Sequence, residues 1–430
     1  MKKFLLLLAF TVLSASLFAQ SEKDKKAYDD EVVTLQKQIW EDPIPEFKST
    51  NVPANLGKES AVILARSFSL SRASTGKFKF GHHSLTTRTT KFSVFHERVK
   101  INDKTALESF SSLEYQKILN KTTSELFAKF MDVNNTFVGA KVIKANGKEI
   151  VVNTSEEVLT KDESKDKQGK LAIPDLQVGD ILDYYIAREY VADKEEGNSY
   201  KDNDNIVYLV DEYPVIYFSI DFKFNKKIKI KTIYANGAKH FDQSTNEDGD
   251  QLLCLKLNNI PKFKDQLWTS ALRQYPYIEI GSSYDDAVEK AIEQNHFDKN
   301  PMFQVKKLNF ENEFNETRFQ FAVGEQVNNL KDYYKTSKIL KATPPDSIAK
   351  TLYALWKFNT FCHYIGSDIS NTADLKYRRA NSKLNTVNMA MTLNELKVDY
   401  DVILVASRYS NSLENVFNYE DFDAMVRVNG

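Results

Sequence analysis

The sequence predicts an α+β protein with a β-sandwich-like N-terminal domain, a helical connector and a mixed C-terminal domain. Three observations predict it. Apolar residues recur with period two through most of residues 56–270, as they do in half-buried strands. Two Asn-Gly pairs, Asn146-Gly147 and Asn236-Gly237, sit beside such runs, and Asn-Gly is the preferred two-residue hairpin turn. Beyond Pro261 the spacing turns helical before the chain ends in two apolar strand-like runs.

The first nineteen residues have the order of a cleavable secretory signal. Lys2 and Lys3 give a basic start, Phe4 to Leu13 an apolar core, and small residues lead to Ala19 before Gln20. The mature protein is therefore expected outside the cytoplasm: in the periplasm, on the cell surface or secreted. No later run approaches the roughly 20 apolar residues of a spanning helix, so no membrane span is expected in the mature chain. Residues 20–55 read as a leader that docks on the first domain. In it Val32, Val33, Leu35, Ile39 and Trp40 suit one short amphipathic helix, which Pro43 and Pro45 would stop.

Residues 56–270 form the β-rich domain. Phe92, Val94 and His96 alternate with polar neighbours. Ile216, Phe218, Ile220, Phe222 and Phe224 alternate with Tyr217, Ser219, Asp221 and Lys223, which predicts a half-buried antiparallel strand. Val142-Ile143 and Ile150-Val151-Val152 flank the first Asn-Gly pair as a hairpin. The second pair follows a strand of Ile228, Ile230 and Ile233. Residues 179–191, rich in Tyr, Ile and Val, read as a long strand. One helix is expected near Ser124 to Phe130. The connector, 271–345, is expected to hold a helix at Tyr284 to Gln294 and another around Phe321 to Tyr334. The last domain, 346–430, starts at Asp346 and Ser347, both good N-cap residues, with helices at 347–360 and 384–396 and strands at 401–408 and 422–428.

Composition bounds the function. Hydrophobic residues make up 42% of the chain and aromatics 12%, enough for packed cores. The 58 basic and 59 acidic residues give a net charge of −1, or −3 without Lys2 and Lys3, and both signs are mixed along the chain. That lacks the basic footprint of a nucleic-acid binder. The two cysteines, Cys254 and Cys362, could form one bridge only between separate predicted domains and read as buried free thiols. No Cys-x-x-Cys or His-rich spacing points to a metal, and no cofactor is expected. Cys362-His363 reads as packing, because neighbouring residues on a helix do not face each other. His82-His83 reads as a solvated pair on a loop.

The C-terminal ninety residues resemble the transglutaminase-like superfamily, relatives of papain-type cysteine proteases. The order of helix, helix, apolar strand ending at Ser407-Arg408, and strand carries the resemblance. In that family the second helix opens on a Gly-Asp-Cys-Lys-Asp-Lys type motif whose Cys is the nucleophile. The later strand carries Asn-His-Ala-Ile-Val, whose His is the base. The logic is physical: only a thiolate attacks, a helix N-terminus lowers a thiol pKa, and a third group fixes the tautomer of the base. A gapless alignment back from Val398 puts the first motif on Ala380, Asn381, Ser382, Lys383, Leu384 and Asn385, and the second on Phe422 to Val426. The nucleophile position is then Ser382 and the base position Asp423. The orienting Asp would fall beyond Gly430, so the domain is expected to be truncated and these 430 residues a fragment. A Ser without His lacks an activating base, and a carboxylate with a reference pKa near 3.9 is a poor substitute. Ser382 reads as a helix cap with Asn381. The preceding region is similar to a domain of unknown function that precedes transglutaminase-like domains in exported bacterial proteins. ESAVILARSFSL (59–70), FHERVKINDKTALESFS (95–111) and LQVGDILDYYIAREY (176–190) carry that similarity.

These readings imply an exported, non-enzymatic protein that binds a peptide, glycan or partner protein in a degenerate active-site groove. The alternatives are an acyl transferase or peptidase using Ser382, and a structural component of the cell envelope.

Overall fold

The structure is a computed structural model. It describes residues 28, 30–41, 44–79, 84–117, 119–124, 130–154, 158–160, 167–195, 202–263, 270–283, 303–304, 317–335, 337–361, 382–405, 409–410, 412 and 423–428. The chain divides into two compact units: 1–267 with 275–285, and 268–274 with 286–430.

A nine-stranded sheet dominates the first unit. Its strands include β1 (Ala61–Lys79), β2 (Ser84–Ile101), β4 (Leu119–Ser124), β5 (Phe130–Ile143), β6 (Glu149–Val151), β9 (Ile181–Glu195), β11 (Val215–Phe224), β13 (Asp242–Thr245) and β14 (Gln251–Ile260). The spatial order is β13-β14-β11-β1-β2-β9-β5-β4, with β6 on β5. β1 runs parallel to β11, and the other pairs are antiparallel. Two three-stranded sheets join it: β3 (Ser112–Lys117) with β7 (Val158–Thr160) and β8 (Lys167–Ala172), and β10 (Asp202–Tyr208) with β12 (Lys229–Ala235) and β15 (Tyr277–Ser283). Their apolar residues, among them Leu113, Leu171, Val207 and Ile278, share one core with Ile63, Val99, Leu182, Ile220 and Phe222 of the large sheet. The large sheet thus buries one face beneath two small ones.

The opposite face is also covered in part. Helix 30–40 (α1) buries Leu35 against Phe137, Tyr185 and Ala187, with Trp40, Phe92 and Val94 around them. A following turn of 3-10 helix, Pro45–Lys48, buries Phe47 against Ala65 and Tyr217. This cover explains why Tyr217 departs from the alternation in 216–224. Tyr217 and Ser219 belong to the polar half of that pattern, yet both are buried, while Asp221 and Lys223 are exposed. The strand is also not simply antiparallel, since β1 flanks it in parallel.

The Asn146-Gly147 turn closes β5 on β6, pairing Val142 with Ile150, with Gly147 at φ 83°. The helix expected near Ser124 to Phe130 is contradicted at both ends. Ser124 and Phe130 are paired strand residues, and the β-branched and alternating residues of 119–124 and 130–143 favour the ladder; 125–129 lie outside the described residues. A helix instead occupies Lys104–Phe110 (α2), capped by Asp103, whose Oδ1 accepts from the Ala106 N–H at 3.0 Å.

The second unit contains α3 (Ala271–Gln274), β16 (Phe303–Gln304), α4 (Thr317–Tyr333), α5 (Ser337–Ala342), α6 (Pro345–Phe361), α7 (Ser382–Glu395), β17 (Tyr400–Val405) and β18 (Asp423–Val428). The strands form an antiparallel sheet in the order β16-β17-β18. Leu330, Leu340, Ile348, Leu352, Leu393 and Val398 make its core, with Met389, Val426 and Val428 against them. Helices α4 and α5 of the expected connector therefore share a core with the C-terminal elements. α7 ends on Lys397 at φ 58°, and the Val398 N–H reaches back to the Leu393 carbonyl at 2.9 Å, a Schellman-type stop. The helix expected at Tyr284 to Gln294 lies outside the described residues.

Candidate functional site

The residues singled out by the C-terminal motifs take simple backbone positions. Ser382 is the first residue of α7, and Asp423 is the first residue of β18, paired with Val405 of β17. Met389 and Leu393 of α7 share a core with Val426 and Val428 of β18. The helix that opens at Ser382 thus packs on the strand that opens at Asp423. Asn381, Cys362, His363, His82 and His83 lie outside the described residues. Cys254 is a free thiol on β14, and burial, followed by the nearby Asp221 carboxylate, pushes it above the ordinary thiol range.

The first unit holds a constellation that alternation along the sequence does not reveal. Arg66 of β1 pairs with Glu97 of β2, and Glu97 with Tyr184 of β9, so the three stand in one row across adjacent strands. A β-bulge between Ile63 and Ala65 puts Arg66 there. An added residue shifts the phase of a strand. Ile63 faces the main core, and after the bulge Phe68 and Leu70, not Ala65, return to it; Arg66 shares their phase.

Arg66 Nε donates to Glu97 Oε2 at 2.6 Å, and Arg66 Nη2 donates to Asp211 Oδ2 at 2.7 Å. Tyr184 donates its hydroxyl to Glu97 Oε1 at 2.9 Å. The guanidinium also lies 5.6 Å from the Phe95 ring and 5.7 Å from the Phe218 ring. The Glu97 side chain is 2% exposed and that of Arg66 12%, so these charges carry a real desolvation cost. Burial opposes the charge of Arg66, but the Glu97 and Asp211 carboxylates outweigh it and hold its pKa above the ordinary value. Burial, and then the Glu97 carboxylate, push Tyr184 well above the phenol range, so it stays a neutral donor.

These groups line a cleft of about 580 Å³, together with Glu212. Phe110 and Tyr213 form a tilted ring pair with centroids 5.6 Å apart, and Phe263 and Tyr275 form another at 3.7 Å. The Phe263 N–H donates to the Asp211 carbonyl at 2.7 Å, which ties these two lining residues together. The volume is that of a small-ligand pocket. Arg66, Glu97 and Tyr184 each lie in one of the three segments that carry the N-terminal resemblance. A charged residue inside the apolar run AVILARSF was the available signal in the sequence.

A second polar cluster lies where the leader crosses the sheet. Asp183 Oδ1 accepts from Trp40 Nε1 at 3.0 Å and lies 2.8 Å from His96 Nε2; Asp183 Oδ2 accepts from Arg98 Nη1 at 3.2 Å. Phe47 stacks on His96 with centroids 3.9 Å apart, and its carbonyl accepts from Arg98. This cluster is sealed under the leader and reads as a latch.

No protein-family model and no curated protein sequence matches this chain. Among solved structures, the chain is similar to a proposed protease from Parabacteroides distasonis, at 11% identity and a TM-score of 0.47. That match covers 86% of this chain and 65% of the other. It is also similar to an M1 zinc metallopeptidase from Deinococcus radiodurans, at 9% identity and a TM-score of 0.23, over 53% of this chain and 43% of that one. This chain spans less than two thirds of the length of either protein.

Proposed function

We propose that this chain is an exported, non-enzymatic binding protein. Its C-terminal part keeps a transglutaminase-like frame whose groove takes a peptide, glycan or partner protein. The observation that carries this reading is the occupancy of two positions. Ser382 and Asp423 stand where the resembled family has its nucleophilic Cys and its basic His, and residues 382–430 contain neither Cys nor His. A hydroxyl without an adjacent base is a weak nucleophile near neutral pH. The order of α6, α7, β17 and β18, with Ser382 opening a helix that packs on the strand of Asp423, supports the frame. The basic, apolar and small-residue order of residues 1–19 supports export.

The test uses the full chain, wild type and Ser382→Ala, with a fluorophosphonate probe and generic acyl ester and peptide substrates. The expected result is no labelling at position 382 and no turnover in either protein. Peptide and glycan panels should then yield a ligand whose binding Ser382→Ala leaves unchanged and Ser382→Trp abolishes without loss of fold. Covalent labelling of Ser382 that disappears in Ser382→Ala overturns the non-enzymatic reading. Panel binding untouched by Ser382→Trp, or absent, overturns the groove.

A further inference from the structure

We propose that the cleft over Arg66, Glu97 and Tyr184 in the first unit is a binding site for an organic cation: an ammonium or guanidinium group on an alkyl stem. The proposal stands on the β-rich unit and is independent of the groove at Ser382.

Three observations carry it. The first is the placement of costly groups. A buried ion pair contributes little to stability that apolar residues of equal volume would not match. Here Arg66 and Glu97 line a cleft of about 580 Å³. Charged groups held at such a cost and gathered in a cleft mark candidate sites.

The second is the sign of the charge. Three carboxylates, Glu97, Asp211 and Glu212, face one guanidinium in the lining, so the cleft is two charges negative. Arg66 is engaged by two of those carboxylates and does not present an uncompensated positive charge to an anion. Glu212 is exposed and the Asp211 side chain is 23% exposed, which leaves negative charge in the lining open to solvent. Low-dielectric walls focus such a field.

The third is the aromatic wall. Tyr213, Phe263 and Tyr275 line the cleft beside the carboxylates. Ring faces attract cations within about 6 Å and also pack alkyl stems. The fold already uses this contact on its own cation, since the Arg66 guanidinium lies 5.6 Å from the Phe95 ring and 5.7 Å from the Phe218 ring. An ammonium or guanidinium would sit at Asp211 and Glu212 with its stem along Phe263 and Tyr213. Tyr184, already donating to Glu97, would hold that carboxylate in place.

A Lys or Arg side chain in a peptide and a free cation such as spermidine carry the same chemistry, and the experiment separates them. Calorimetric titration of the full chain uses the capped tripeptides Gly-Arg-Gly, Gly-Lys-Gly, Gly-Gln-Gly and Gly-Glu-Gly, and spermidine. The cationic tripeptides, spermidine or both should bind, at least tenfold tighter than the Gln peptide, with no binding of the Glu peptide. Tripeptide binding without spermidine binding assigns the source as a peptide, and the reverse assigns it as a free amine. Glu212→Gln, an exposed change, should weaken the cation roughly threefold, the scale of a surface charge pair. Phe263→Ala should weaken it roughly three- to tenfold, the scale of a cation–π contact. Thermal melts confirm that both variants fold. Equal binding of the neutral peptide, preference for the acidic one, no binding of any cation, or unchanged affinity in both folded variants overturns the proposal. None of these outcomes bears on Ser382.

Discussion

Asp183 shows how one carboxylate can hold a segment distant in sequence. It is 2% exposed and collects Trp40 from the leader together with His96 and Arg98 from β2. Lys141 Nζ lies 5.2 Å from the Trp40 ring, so the indole is held on its face as well as at its N–H. Removing one partner of a buried pair leaves the others desolvated without compensation. Asp183→Ala is therefore expected to destabilise the first unit by about 3–5 kcal/mol, the range for such losses. It should also open helix 30–40 to protease before the sheet unfolds. Urea unfolding followed by tyrosine fluorescence, with a timed proteolysis series, checks both; unchanged stability would show that the leader is held by Leu35 and Phe47 alone. In the sequence these residues were legible only as parts of separate elements: Trp40 in the leader helix, His96 in an alternating stripe and Asp183 in the strand of 179–191. Asp183 sits 87 positions from His96, a separation no local pattern spans.

At the scale of elements, the strands followed from alternation and the turns from Asn-Gly, while capping decided where one helix begins. Asp103 caps α2, and its pKa lies below the usual carboxylate range, first because the Ala106 N–H bonds to it and then because the Ser60 hydroxyl does. The anion is thus bound more tightly in the folded state than in the unfolded chain. A depressed folded pKa contributes stability above the unfolded value and loses it as pH falls through the folded value. The stability gap between wild type and Asp103→Ala should be full at neutral pH and close progressively as pH drops below the normal carboxylate range. Urea midpoints measured from pH 7 down to pH 3 test this, and a gap that stays constant with pH would rule out a charged cap. The helix expected at Ser124 to Phe130 failed for a related reason. Residues 119–124 and 130–135 satisfy each other's backbone groups across a hairpin, and tertiary pairing on β9 overrides local helix propensity.

For the whole molecule, the export proposal gives the broadest prediction: protein recovered from the cell envelope should begin near Gln20. N-terminal sequencing of that fraction checks it, and recovery of intact Met1 there would count against a cleaved signal. The sequence by itself determined the mixed α+β class, the β-rich character of residues 56–270 and the elements of the C-terminal ninety, because periodicity and turn chemistry are local properties. The proposed alignment with the transglutaminase-like superfamily, read from the sequence alone, puts the two motif positions on Ser382 and Asp423. Only the tertiary structure decided that β1 lies parallel to β11, that Tyr217 is covered by the leader, and that α4 and α5 share a core with α7. It alone decided the cleft. Arg66, Glu97, Tyr184 and Asp211 come from four separate stretches, and a single bulge sets the phase that aims Arg66 at its partners. A period-two pattern carries no record of such a phase shift. The energy that fixes it comes from burying the long-range ladder and not from the residues on either side of the bulge.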